Sequence, residues 1–169
     1  MGKHVSRNVL SPLRFPMLTC LPQSLCSWDY RILDAAGGPG SIDFNFFTEQ
    51  GCIYFGAHEL AVRKQGPLSG HWTLEHENRM IAEARKPNPL FRSFDLDVNG
   101  TCFTVKAISP FGRGYEIVSA GHAVGSISPV HPFTRRAVID CGGGIPELGQ
   151  LFAFWLVVLT WRRKARESN

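Results

Sequence analysis

The sequence predicts a mainly β protein with one buried α-helix: a closed antiparallel barrel of about twelve strands around a hydrophobic C-terminal helix. Three observations carry this. A repeat of about 43 residues runs through the chain, each copy reads as paired hairpins, and the last long segment is apolar on every side. At 169 residues, with 44% hydrophobic and 19% charged, the chain can bury a sizeable core and is too apolar for disorder. Seventeen glycines and eleven prolines argue for short strands joined by turns.

At an ungapped offset of 43, residues 60–97 fall on 103–140. Val62 meets Val105, Pro67 meets Pro110, Pro89 meets Pro132, Arg92 meets Arg135 and Asp97 meets Asp140. Similar pairs support the identities: Arg63 with Lys106, Trp72 with Tyr115, Leu74 with Ile117, Ile81 with Val124. A fainter third copy lies upstream, where Tyr30-Arg31-Ile32 precedes Trp72-Thr73-Leu74 by 42 residues. Three copies are too few for a propeller, which takes about four to eight blades.

In the first copy only the strands 29–33 and 41–47 are clear; the opening hairpin is missing or lies within the Pro-rich stretch 10–25. The middle copy gives strands at 53–55, 60–64, 72–75 and 80–84. The last gives 94–98, Asn99-Gly100, then 102–108, 115–118 and 123–127. Asn-Gly between alternating runs is a strong hairpin signal, since both residues tolerate positive φ. The segment 135–140 repeats the opening strand of the preceding copy and is expected to pair with the first copy, closing the ring.

The helix is predicted over 146–164. From Leu151 to Trp161 only Thr160 is even weakly polar, so no face of the helix suits water. Pro146 suits the first turn, Glu147 its positive dipole end and the following arginines its negative end. The clean apolar run spans roughly 16 Å, against a hydrocarbon core of about 30 Å, which favours a protein interior. Trp161 and the flanking arginines also resemble a membrane-interface belt, so a single-pass anchor stays as the alternative.

Repeated aromatic-x-aliphatic hairpins at Tyr30, Trp72 and Tyr115, the strand Ala137-Val138-Ile139-Asp140, and the apolar segment Pro146 through Arg163 together resemble the tubby C-terminal-like and phospholipid scramblase-like superfamily. The resemblance covers roughly 25–164. It implies a twelve-stranded barrel around a central helix and, through tubby-like domains, phosphoinositide binding. No acidic calcium-loop pattern like that of scramblases is present, so calcium-linked lipid movement does not carry over. The expected organisation is an N-terminal extension over 1–24, a barrel over 25–164 and a basic tail over 165–169.

Function is less legible. The net charge of +4 comes from the two ends: residues 1–14 hold Lys3, Arg7 and Arg14 with no acid, and 162–169 hold four bases against Glu167. That pattern speaks against a nucleic-acid groove and for termini near an anionic surface. Five cysteines without a CxxC pair form neither a disulfide framework nor a zinc site, pointing to a reducing, cytoplasmic compartment. Cys52 and Cys102, in apolar runs, are expected as buried free thiols. Met1 to Ser6 matches the bare myristoylation pattern, and no secretory signal peptide is read at the N-terminus.

No catalytic or metal constellation is convincing, and no cofactor is expected. His71, Glu75 and His76 lack ligand spacing and read as surface polar residues. Cys141 has no evident His and Asp partners, and Gly142 to Gly144 read as a turn leading into the helix. Arg85, Lys86, Arg92, Arg135 and Arg136 fall near corresponding repeat positions beside Pro87, Pro89 and Pro132. Such positions belong to one rim of a ring, where cations could engage the phosphates of anionic membrane lipids or simply be solvated turn charges. The leading expectation is therefore a non-enzymatic domain, cytoplasmic and peripheral at a membrane. A structural or protein-interaction domain without a lipid role stands beside it.

Overall fold

The computed structural model describes residues 17–45 and 47–168. Among these residues, twelve strands form one closed antiparallel barrel around a single helix. They are β1 (Leu18–Pro22), β2 (Tyr30–Leu33), β3 (Gly40–Phe44), β4 (Gly51–Phe55), β5 (His58–Lys64) and β6 (His71–His76). Then follow β7 (Arg79–Arg85), β8 (Ser93–Val98), β9 (Thr101–Ala107), β10 (Tyr115–Ser119), β11 (His122–Pro129) and β12 (Ala137–Cys141). Each pairs with its sequence neighbours, and β12 closes the ring on β1 through Leu18–Ile139 and Cys20–Ala137. No edge is left unpaired, so no template for intermolecular strand addition remains in the barrel.

The repeat becomes a pseudo-threefold barrel with an offset start. β4 to β7 are one copy and β8 to β11 another; the remaining copy takes β12 from the end of the chain and β1 to β3 from the beginning. The registers agree: Tyr30 pairs Ile42, Trp72 pairs Ala84 and Tyr115 pairs Ile127, and all six side chains are buried. Bulges recur at equivalent places, between Leu74 and Glu75 and between Ile117 and Val118. The turns recur as well, with positive φ at Glu77 and Asn78, at Asn99 and Gly100, and at Ala120 and Gly121. Asn99-Gly100 thus adopts the two positive-φ conformations its composition announces.

β1 corrects the expected domain organisation. The wall begins at Leu18, inside the segment read as an extension over 1–24, because Leu18 and Cys20 supply the alternating inward side chains that the first copy needs. The strand lies within the Pro-rich stretch 10–25, the place open to the first copy's opening hairpin. The myristoylation pattern lies outside the described residues.

Helix α1 (Glu147–Glu167) has Pro146 at its N-cap and runs three residues past Lys164, so the expected basic tail is mostly its last turn. Every residue from Gly149 to Leu159 is buried, together with Trp161 and Arg162. The wall answers with aromatic contacts: Trp155 stacks on Phe44 at 4.8 Å, and Phe154 meets Tyr30 edge-on at 5.0 Å. Gly149 fits closely where the helix enters, since a Cβ there would lie 3.0 Å from the Ile145 side chain and 3.1 Å from that of Val98, and both would have to shift. No helix among the described residues is long and apolar enough to cross a membrane. The outward wall positions carry Arg31, Glu59, Arg63, Asp95 and Lys106, all exposed, where a lipid-facing barrel would carry an apolar band.

The buried cysteines are Cys20 and Cys141, whereas Cys52 is half-buried and Cys102 exposed. The expectation of buried thiols at 52 and 102 fails on strand parity: Ile53 and Phe103 take the inward positions beside them.

Trp155→Ala removes a fully buried indole from a lumen that cannot collapse around the gap. Chemical denaturation is expected to show a loss of about 3–5 kcal/mol, and Trp155→Asp is expected to give no folded protein.

Candidate functional site

The two ends of the barrel differ. One is closed by four two-residue turns, the connection 34–39 and the entry of α1. The other carries six longer connections, at 23–29, 45–50, 65–70, 86–92, 108–114 and 130–136, with the C-terminal end of α1 emerging among them. Arg85, Lys86, Arg92, Arg135 and Arg136 all lie at this long-loop end. Together with residues 162–167, the six loops hold nine lysines and arginines against three acids. The opposite turns, at 34–39, 56–57, 77–78, 99–100, 120–121 and 142–146, hold Asp34 and Glu77 and no lysine or arginine. The described part of the molecule is therefore electrostatically polar along the barrel axis.

Most of these cations are engaged, and in a regular way. Arg92 donates to the carbonyls of Ser109, Pro110 and Gly112 at 2.8–3.2 Å and to the Tyr115 hydroxyl, gripping the next long loop. Arg113, in that loop, donates to the carbonyls of Pro132 and Thr134 in the following one. Arg135, in turn, donates to the carbonyls of Ser24, Leu25 and Ser27 and lies over the Trp28 ring. Three guanidinium groups thus form a relay around the rim, each holding the loop ahead of it. The fork of donors on arginine suits this, because one side chain satisfies several carbonyls at once.

The pattern breaks at the third equivalent position, which is Glu49. Its carboxylate pairs with Lys64 at 2.7 Å and with Arg163 of α1. Burial raises its pKa, but hydrogen bonds from Arg163 and Lys64 outweigh this and leave it lowered. Lys64 also donates to the Pro67 carbonyl, and Arg162 to that of Asn45, so these two loops are held as well.

Of the five predicted rim residues, Arg92 and Arg135 are consequently loop clamps. Arg85 pairs with Glu83 at 3.3 Å. Arg136 is exposed, and neither it nor Lys86 makes a side-chain ion pair among the described residues. Burial and the neighbouring Arg163 hold Lys86 below the ordinary lysine range. Burial, with Arg166 beside it, likewise holds Arg162 below the ordinary arginine range. Arg113 went unmarked in the sequence; its signal was an arginine inside a Gly-x-Gly loop, which has no counterpart in the repeat alignment.

Elsewhere among the described residues, the side chains singled out for chemistry do not come together. His71 contacts Glu83 at 2.9 Å, Glu75 pairs with Arg63, and His76 contacts His58 at 3.3 Å, so the three go to separate partners. No cluster of three metal-ligating side chains occurs among the described residues. Glu147 is occupied at the other end, accepting the Ala36 N–H at 2.8 Å. Burial, with Asp140 adding to it, pushes the Cys141 thiol up to about 12, which keeps it protonated and poor as a nucleophile. No family model, curated protein or solved structure matches this chain.

Two expectations follow. Because the folded protein holds the Cys141 proton above the ordinary thiol value of 9.0, the unfolded chain loses its proton first on the alkaline side. Its contribution to stability is present below about pH 9 and is lost towards pH 12. In urea titrations across that window, Cys141→Ala should flatten the decline. Secondly, Tyr115→Phe removes the hydroxyl that accepts from Arg92 Nε and Nη2 and should cost about 1–3 kcal/mol. Its repeat counterpart Tyr30→Phe removes a buried hydroxyl with no partner among the described residues, and should be neutral or stabilising in the same assay.

Proposed function

We propose that this chain is a non-enzymatic, tubby-like barrel module that binds anionic membrane surfaces peripherally through its long-loop end. The observation that carries the reading is the concentration of nine bases against three acids at that end, opposite turns that hold only acids. The family resemblance supports it, and five free cysteines suit a reducing cytoplasmic site. Because Arg92 and Arg135 are committed to loop carbonyls, and Lys164 donates to that of Phe111, the headgroup contacts fall to Lys86 and Arg136.

Cations near an anionic leaflet contribute about 1 kcal/mol each. The double variant Lys86→Gln/Arg136→Gln should therefore weaken binding to phosphatidylserine-containing vesicles by about thirtyfold, read by flotation at low salt. Wild-type binding should fall as salt rises. If the wild-type protein floats with no vesicle, the lipid role is wrong and the protein-interaction reading takes its place.

A further inference from the structure

The six most exposed large hydrophobic side chains of the described protein are Leu25, Phe47, Leu68, Leu90, Phe111 and Phe133, each 88–99% exposed. They are distributed one to each of the six long loops and none to the other end. Chance placement of isolated surface hydrophobics would need no comment, but an exposed ring confined to one end does. We infer that this ring inserts into the bilayer, standing the barrel end-on with the C-terminus of α1 towards the lipid.

Three further features fit a bilayer as the occupant. The tips are interspersed with the cations described above, so apolar contact and headgroup charge come from the same surface. Five of the six loops have backbone carbonyls held by guanidinium or ammonium groups from within the protein; the remaining loop, 86–92, has its own turn bond from the Leu90 N–H to the Asn88 side chain. Each such bond lowers the cost of moving loop backbone into a poorly hydrated medium. Finally, the tips spread around the whole rim rather than forming one concave groove, which suits a flat fluid surface better than a single protein epitope.

The inference rests on the membrane-surface reading, and one experiment separates their failures. Flotation is run with neutral phosphatidylcholine vesicles and with vesicles of about one-third phosphatidylserine, for wild type, Phe111→Ser/Phe133→Ser and the charge variant Lys86→Gln/Arg136→Gln. Each tip is expected to be worth on the order of tenfold in affinity, so the tip variant should lose about a hundredfold. The binding that the wild type keeps at high salt should vanish in the tip variant and persist in the charge variant. Both tips are solvent-exposed, so the variant should unfold at the wild-type temperature. Tip-variant binding equal to wild type at every salt concentration would overturn insertion while leaving the electrostatic reading standing. A wild type that binds neither vesicle overturns both.

Discussion

A helix with no polar face cannot meet water, and the rest of this structure is organised by that constraint. The barrel supplies an inward ring of aliphatic and aromatic side chains at matched heights, and the helix supplies the volume that fills it. Neither part is stable alone in this form. Twelve strands without a plug would enclose an empty apolar lumen, and the helix without a wall would expose Leu151 to Leu159 entirely. Glycine at position 149 and the stacked Phe44–Trp155 pair show how closely the surfaces are matched.

Much of the architecture was legible because it was written three times. Tyr30, Trp72 and Tyr115 mark the same inward position in each copy, Asn99-Gly100 marks a turn, and the segment around Asp140 repeats the strand around Asp97. Features without a repeat were harder to see. β1 has only two inward residues and sits between prolines, so its periodicity is too short to stand out. Cys52 and Cys102 were misplaced because an apolar run does not disclose which parity faces the lumen.

The candidate rim was visible in outline and not in detail. Repeat positions put Arg92 and Arg135 at one end, but what a guanidinium grips there depends on the shape of a loop some twenty residues or more away. No spacing rule encodes that. Glu49, at the position equivalent to Arg92, is instructive: the exception to the pattern is the residue that pairs with Arg163 and fixes where α1 leaves the barrel. Symmetry is given up where a single helix must exit a threefold ring.

The offset start of the threefold pattern has a consequence for how the molecule comes into being. The third copy is complete only when β12, made late, meets β1, made early, across more than a hundred residues. The plug is made later still. During synthesis the first eleven strands form at most an open, edged sheet whose apolar face has nothing to cover it. Closure and filling must then coincide, with a large loop-closure entropy opposing them. Such a chain would fold slowly for its size and would depend on protection of the nascent sheet until the helix is there to fill it.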